Sequence, residues 1–217
     1  LNEIMQQGHC AYPRNDLISK TAELLEVDIS LLISSLDASI QAGQLISVEN
    51  TSKGLLIYLP ALYQAECALA DRLKQINRGE HPCPKIDLDR AIDWVAERSG
   101  FELAASQQKA LRQSICSKVA VITGGPGVGK TTLVQSILMV LRAKKMRVLC
   151  CAPTGRVAKR MSESTGMEAK TIHRLLQYNP GSGGFVHRAD NPLECDILII
   201  DECSMVDLLL ANQLVSA

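Results

Sequence analysis

The residues best suited to chemistry form a glycine-rich stretch at positions 124–132, GGPGVGKTT. The stretch fits the pattern G-x-x-x-x-G-K-[ST], in which glycines allow backbone N–H groups to converge on a phosphate. Lys130 is expected to reach the β- and γ-phosphates of a nucleotide, and Thr131 to offer its hydroxyl to Mg²⁺. The predicted phosphate-binding residues are Gly124, Gly125, Pro126, Gly127, Val128, Gly129, Lys130, Thr131 and Thr132.

A pair of acids, Asp201 and Glu202, follows the apolar run ILII at 197–200. A triphosphate site needs a second metal ligand and a group that activates water. Asp201 is therefore predicted to hold Mg²⁺ through water, and Glu202 to act as the general base. The alternative is that the two acids only cap the helix that begins near Val206.

The elements around these residues alternate between strand and helix. The runs VAVIT (119–123), RVLCCA (147–152) and ILII are continuously apolar, which predicts strands buried on both faces of a parallel sheet. Helices are predicted at Lys130–Arg142, Arg156–Ser164 and Asp207–Val215, while NPGSGG (179–184) predicts a surface loop. The pattern indicates an α/β fold in which a parallel sheet carries the glycine-rich loop.

The first part of the chain has a different character. Two predicted helices, Asn15–Glu26 and Ile29–Ala42, precede a hairpin pattern in which LISVE and LLIYL flank NTSKG. A helix follows at Ala61–Ile76, and RGEHPCPK (78–85) interrupts helical structure. We expect a small, mainly helical, winged-helix-like domain over residues 1–80, a linker over 81–86 and the α/β domain over 87–217, which opens with helices Asp87–Arg98 and Ser106–Ile115.

Charge is distributed unevenly along a chain whose formal net charge is zero. Residues 142–174 contain nine Lys or Arg and two acids, which favours a polyanionic partner, although a solvated helix face would have the same composition. The chain has no apolar run of bilayer length and no signal-peptide features, so no membrane association and a cytoplasmic location are expected. The eight cysteines form no C-x-x-C pair, and Cys116, Cys150 and Cys151 are expected to be buried, reduced thiols.

Four motifs in order, GGPGVGKTT, APTGRVAKRM, KTIHRLL and DECSMVD, resemble those of RecD-like superfamily-one DNA helicases, the group that includes the exodeoxyribonuclease V alpha subunit. The resemblance covers 87–217 strongly, and GHCAYPRNDLI and YLPALYQAECALA resemble the region before the motor in the stand-alone type. It implies a RecA-like motor domain that uses ATP and Mg²⁺. It also implies that Gln107, or its neighbour Gln108, reads the adenine edge.

The same resemblance implies contacts with single-stranded DNA at two segments. The implied contact residues are Pro153, Thr154, Gly155 and Arg156 in the first segment, and Thr171 and His173 in the second. The basic residues of 142–174 independently suit a phosphate backbone, which they would position without reading sequence. For His173, a helix-start histidine that satisfies local hydrogen bonds is the alternative.

The resemblance implies the N-terminal part of an ATP-dependent 5′-to-3′ DNA helicase that couples Mg-ATP hydrolysis to translocation on single-stranded DNA in repair or recombination. The protein is expected to be a monomer, with other DNA-repair proteins as further partners. Family members continue beyond the acidic motif with a second RecA-like domain and arginines that stabilise transition-state charge. These 217 residues by themselves are therefore expected to be nearly inactive.

A different class of function is a nucleotide-sensing, DNA-binding switch without motor activity. A winged-helix-like N-terminal domain would suit such a protein. However, residues 1–85 contain seven basic and ten acidic residues, which makes a poor reader of duplex DNA. A scaffold or a partner-docking domain is an equally good interpretation of that segment.

Overall fold

The computed structural model describes residue 5 and residues 8–125, 127–181 and 183–217. The chain divides into two compact units. The first comprises Leu1–Ala70 with Asp207–Asn212, and the second Asp71–Val206 with Gln213–Ala217. The second unit contains the candidate phosphate loop and the acidic pair.

The first unit combines two helices with a small antiparallel sheet. Its elements in chain order are β1 (Ala11–Pro13), α1 (Arg14–Leu25), α2 (Ile29–Gln41), β2 (Ile46–Asn50) and β3 (Gly54–Tyr58). The strand order is β1-β3-β2, and both pairings are antiparallel. The two predicted helices and the predicted hairpin are confirmed. Strand β1 was not predicted, and the winged-helix interpretation stays a prediction.

A compact apolar cluster holds the first unit together. Leu17 and Ile57 are buried, and Leu36, Ile40 and Leu45 pack against them. Asp28 is the N-cap of α2, and its carboxylate accepts a hydrogen bond from the backbone N–H of Ser30 at 2.7 Å. The end of α2 is followed by Gly43 at φ 71°, a conformation that glycine adopts without strain.

Three helices follow, as the sequence pattern predicts. They are α3 (Pro60–Arg78), α4 (Leu88–Ser99) and α5 (Ala105–Cys116). The two prolines of the 78–85 stretch lie in the non-helical link between α3 and α4. Of the helices in the described ranges, none is long and apolar enough to cross a bilayer.

The second unit contains a three-stranded parallel sheet flanked by helices. Its remaining elements are α6 (Lys130–Ala143), β4 (Val148–Ala152), α7 (Gly155–Thr165), β5 (Ala169–Thr171), α8 (Ile172–Leu175), β6 (Tyr178–Asn179), β7 (Gly184–Phe185) and β8 (Ile197–Ile200). The last helix, α9 (Leu208–Ser216), begins in the first unit and ends in the second. The strand order is β5-β4-β8. Strands β6 and β7 form a separate antiparallel pair at the two ends of the stretch 179–184 that was predicted to be a loop. The predicted α/β class is confirmed.

Helix α6 packs at the centre of the second unit's core. Its buried residues Leu133, Ile137 and Leu141 pack with Leu111 of α5 and Val95 of α4, and Ile197 and Ile199 of β8 lie against the same cluster. Leu138 belongs to a second cluster with Cys150 of β4 and Met161 of α7. Helix α6 is therefore buried on several sides at once.

The beginnings of β4 and β8 are joined by reciprocal hydrogen bonds. The backbone N–H of Arg147 donates to the Asp196 carboxylate at 2.7 Å, and the Asp196 N–H donates to the Arg147 carbonyl at 2.8 Å. The Arg147 guanidinium lies 3.2 Å from the same carboxylate. The hydrogen bond from the Arg147 backbone, followed by the one from its side chain, lowers the pKa of Asp196. This pairing fixes the register of the two strands at their amino ends.

The prediction of a strand at 119–123 is wrong. These residues pair with no strand in the described part of the chain, and Val121 is 84% exposed. A strand requires a hydrogen-bonded neighbour, and among the described residues the outer strands β5 and β8 pair only with β4 and not with 119–123. The continuous apolar run predicted that both faces of 119–123 would be buried. In the structure they are not.

The expectation for the cysteines is correct for two of the three residues. All eight are free thiols. Cys150 and Cys151 are buried in β4, but Cys116 is exposed because it lies at the end of α5, after the last buried residue Ile115. Burial raises the pKa of Cys150 to about 11 and that of Cys151 to about 12, because the thiolate is poorly solvated there.

Replacing Leu111 with alanine should lower the free energy of unfolding by about 2–5 kcal/mol, since Leu111 is fully buried and the change leaves a cavity. The matched change Val121→Ala should alter it by less than about 0.5 kcal/mol, since Val121 is exposed. Urea unfolding followed by circular dichroism measures both. A loss for Val121→Ala as large as that for Leu111→Ala would mean that 119–123 is a buried strand after all.

Candidate functional site

The topology brings the ends of several elements to one edge of the parallel sheet. Strands β4 and β8 run in parallel, with Cys151 opposite Ile200, so Pro153 and Asp201 emerge at the same edge. Only residues 144–147 join α6 to β4, which puts the end of α6 beside the start of β4. Because α6 packs back along the sheet over 14 residues, its N-terminus at Lys130 points toward the edge where the strands end.

The glycine-rich loop has the backbone that its sequence predicts. Gly127 and Gly129 have φ values of 77° and 82°, a region that residues with a Cβ rarely adopt. Gly129 is the N-cap of α6, so the first N–H groups of the helix receive no side-chain cap from it. Pro126, also predicted to bind phosphate, lies outside the described residues. The loop therefore presents uncapped N–H groups and the positive end of a helix dipole.

Lys130 is folded onto its own loop. Its Nζ donates hydrogen bonds to the carbonyl oxygens of Gly124 and Gly125, at 2.5 and 2.9 Å. These contacts hold the ammonium group beside the loop. An anion seated on the loop would offer the ammonium stronger, charge-assisted partners than the two carbonyls.

The two threonines that follow Lys130 differ in exposure because they lie on different faces of α6. Thr131 lies in the first turn of α6 and is exposed, whereas Thr132 is half-buried. One turn later the fully buried Ser136 donates from its hydroxyl to the Thr132 carbonyl at 2.9 Å. The Thr131 hydroxyl therefore lies at the exposed start of the helix, where a metal ligand is predicted.

Gln107 contacts the loop through its side chain. Its Oε1 accepts a hydrogen bond from the Ala104 N–H at 3.0 Å, and its Nε2 donates to the Val128 carbonyl at 3.2 Å. A Cβ at position 129 would collide with that Nε2. Gln108 instead donates to the Leu103 carbonyl at 2.9 Å. Of the two, Gln107 is the one that reaches the loop, so Gln107 also positions it, a role that sequence reasoning did not assign.

The acidic pair begins directly after β8. The Asp201 N–H donates to the Cys151 carbonyl at 2.9 Å, which extends the β4–β8 ladder by one residue, and Asp201 is half-buried. The Glu202 N–H donates to Asp201 Oδ1 at 2.9 Å. Glu202 is exposed and has φ 50° and ψ 45°, an unfavourable conformation for glutamate. Such strain at an exposed acid is typical of functional sites.

The residues at this edge fit a magnesium–triphosphate group. Thr131 supplies a hydroxyl and Asp201 a carboxylate, both oxygen donors of the kind that Mg²⁺ prefers. Gly124 has no space for a side chain, because a Cβ there would lie 2.8 Å from Val128 Cγ2. A loop without side-chain bulk beside a helix N-terminus is what a phosphate requires.

The two segments predicted to touch DNA lie side by side. Ala152 of β4 is opposite Thr171 of β5, and both strands lead into helices at the same edge. Thr154 caps α7 by accepting from the Val157 N–H at 3.4 Å, and Thr171 caps α8 by accepting from the Arg174 N–H at 3.3 Å. Each threonine hydroxyl therefore already accepts one hydrogen bond within the protein, and its O–H can still donate to a phosphate.

The other predicted DNA contacts differ in exposure. Gly155 and Arg156 are exposed at the start of α7, and Pro153 is half-buried. Two lysines of the basic segment are near acids: Lys159 lies 3.8 Å from Glu163, and Lys170 lies 3.6 Å from Glu168. Arg156 thus stands at the sheet edge as an exposed cation.

His173 is exposed and belongs to an aromatic cluster that sequence reasoning missed. Its ring centroid lies 6.0 Å from that of Tyr178 and 5.7 Å from that of Phe185, and the latter two are 5.2 Å apart. The β6–β7 pairing, with Tyr178 opposite Phe185, creates the cluster. The signal available in the sequence was a pair of aromatics flanking a glycine-rich turn.

Comparison with known proteins agrees with this geometry. Residues 107–217 match the model of a family described as "AAA domain". The ATP-dependent RecD2 DNA helicase of Deinococcus radiodurans is 31% identical over 98% of this chain and 30% of its own length. RecBCD enzyme subunit RecD is 34% identical in Mycolicibacterium smegmatis, over 76% of this chain and 32% of the relative.

The same subunit from Haemophilus influenzae is 34% identical over 51% of this chain and 21% of its own length. The chain thus spans about a fifth to a third of the length of these relatives. The matched region includes the phosphate loop, both threonine-capped turns and the acidic pair. This chain carries an AAA domain and belongs to the RecD-like family of DNA helicases.

Proposed function

We propose that the full-length protein is an ATP-dependent DNA helicase that moves 5′ to 3′ on single-stranded DNA in repair or recombination. The observation that carries the proposal is the common sheet edge shared by the start of α6, with Lys130, and the end of β8, with Asp201 and Glu202. The polarity of movement is taken from the family resemblance. A cytoplasmic location, a monomeric state and further DNA-repair partners are parts of the same proposal.

In the proposed reaction each residue of the edge has one task. Lys130 exchanges its two loop carbonyls for the β- and γ-phosphates of ATP. Thr131 and Asp201 hold Mg²⁺, which neutralises charge on the phosphates when it is bound. Glu202 accepts a proton from the water that attacks the γ-phosphorus, and ADP leaves with the broken phosphoanhydride oxygen. The adenine contact of Gln107 is a further part of the proposal.

DNA binding is proposed for the neighbouring turns that follow β4 and β5. The exposed start of α7, with Gly155 and Arg156, offers backbone N–H groups and a cation to a phosphate. His173 is the second residue of α8, the short helix that follows the second turn. These turns follow strands of the same sheet on which α6 packs, and α6 begins at the phosphate loop. A movement of the loop on hydrolysis can therefore change the grip on the DNA strand.

The direct test is ATP hydrolysis by the full-length protein with and without single-stranded DNA. We expect DNA to stimulate turnover, and Lys130→Ala to abolish both the basal and the stimulated rate. Hydrolysis that is indifferent to DNA would contradict the motor and favour the nucleotide-sensing switch.

Glu202→Gln should leave ATP affinity within about twofold and lower kcat by at least about 10², because the amide cannot accept a proton. Equilibrium binding of a fluorescent ATP analogue and steady-state ATPase assays measure the two quantities. Glu194→Gln, an exposed acid before β8, is the control and should leave both unchanged. A Glu202→Gln protein with normal kcat would remove Glu202 from the role of base.

Gly129→Ala should weaken nucleotide binding by about tenfold or more. The added methyl group would collide with Gln107 Nε2, so the Gln107 side chain would lose its contact with the loop or the loop would shift. An alanine would also be strained at φ 82°. Gly166→Ala is the matched control, since that glycine has φ 66° at the end of α7 but nothing within 4 Å of an added Cβ. It should cost similar stability and leave nucleotide binding intact. Equal affinity losses in both variants would mean a general effect on folding.

Arg156→Ala should weaken binding of single-stranded DNA and lower the slope of log affinity against log salt by about 1, as expected for one phosphate contact. Arg90→Ala is the control, because Arg90 is an exposed arginine near the start of α4, outside the basic segment 142–174. Fluorescence anisotropy over a salt series measures both. An unchanged slope for Arg156→Ala would mean that Arg156 does not contact the backbone.

A further inference from the structure

The N-terminal unit contains a long segment without a basic residue. Between Lys20 and Lys53 the sequence has no Lys, Arg or His, and it has five acids, Glu23, Glu26, Asp28, Glu49 and Asp37. Asp37 is paired with Arg14 at 2.8 Å. The segment includes the end of α1 and all of α2, and three of its acids, Glu23, Glu26 and Asp28, lie at or beside the junction of the two helices.

Both helices of this segment have an apolar stripe that is packed at one end and bare at the other. In α1, buried Leu17 is followed two turns later by Leu24 and Leu25. In α2, Leu36 and Ile40 pack against Leu17 and Ile57, and Ile29 and Ile33 continue the same stripe toward the start of the helix. Each apolar stripe therefore continues beyond the buried cluster of the first unit.

The bare ends of the two stripes meet at the turn that joins the helices, residues 26–28. We call the four residues beside it the α1–α2 corner: Leu24 (64% exposed), Leu25 (58%), Ile29 (52%) and Ile33 (37%). Helix α2 has no fully buried residue although it is rich in Ile and Leu. Clustered large aliphatic side chains in water mark an interaction surface more often than scattered ones do.

The rim of the corner is negatively charged. Glu23, Glu26 and Asp28 are exposed in and beside the joining turn. Glu26 ends α1 at φ 53°, a left-handed conformation in which glycine or asparagine costs less. The chain therefore holds the Glu26 carboxylate in a strained position in this rim, which is consistent with a binding role for that charge.

We propose that the α1–α2 corner is a docking site for a basic, amphipathic helical segment of a partner protein. Its apolar side chains would cover Leu24, Leu25, Ile29 and Ile33, and its Lys or Arg residues would pair with Glu23, Glu26 and Asp28. Nucleic acid and anionic lipid are disfavoured, because α2 has no cation to offer a phosphate. A second copy of this chain is disfavoured because the acidic rims of the two copies would face and repel each other.

The test uses the intact protein and a synthetic amphipathic helix with leucines on one face and lysines on the other, labelled for fluorescence anisotropy. The lysine peptide should bind, and a peptide with glutamates in place of the lysines should not. Ile29→Ser should weaken binding by about tenfold. Leu31→Ser is the matched control, because Leu31 is 63% exposed on the opposite side of the same helix, and it should bind as the parent does.

A charge-reversed protein, Glu23→Lys with Glu26→Lys, should prefer the glutamate peptide. Circular dichroism verifies that each variant is folded. Equal binding of the two peptides, or equal losses in Ile29→Ser and Leu31→Ser, would overturn the proposal. So would binding of neither peptide, which would mean that another part of the protein covers the corner. Parent dimers that Ile29→Ser dissociates, measured by sedimentation, would instead assign the corner to a second copy.

Discussion

The packing of α6 against the sheet is the contact on which the candidate site depends. Leu133, Ile137 and Leu141 bury one stripe of the helix against α4, α5 and β8, while Leu138 packs on β4. This burial sets the direction of the helix, and the helix direction aims its uncapped N-terminus at the edge where β4 and β8 end. A loop of glycines has little means of holding itself in one position. The apolar contacts of α6 therefore set where the loop begins its helix, and the hydrogen bonds of Lys130 and Gln107 to loop carbonyls hold the loop itself.

Sequence reasoning succeeded where the signal is local. The helices at 15–26, 29–42 and 130–142 follow from apolar periodicity and end signals, and Asp28 caps its helix as the residue type predicts. It failed where the outcome depends on distant partners. The VAVIT run had the composition of a buried strand, but whether a strand forms is decided by a neighbouring edge elsewhere in the chain.

The site illustrates the same division. The residue types of the loop and of the acidic pair could be identified from spacing, because phosphate and metal chemistry allow few substitutes. The hydrogen bonds of Gln107 to the loop, the strain at Glu202 and the meeting of His173 with Tyr178 and Phe185 are tertiary facts. Each of these features depends on a turn or helix junction, and the periodicity of the sequence does not reveal such junctions.

The two adjacent free thiols of β4 have a practical consequence for labelling this site in solution. With pKa values of about 11 and 12, Cys150 and Cys151 are ionised in fewer than about one molecule in a thousand at neutral pH, so thiol-directed dyes will react with them very slowly. Cys203 is exposed and adjacent to Glu202. Once the exposed Cys67 and Cys116 and the half-buried Cys10, Cys83 and Cys195 are changed to serine, a maleimide fluorophore at position 203 would report movements of the acidic turn, while the strand beneath it remains unlabelled.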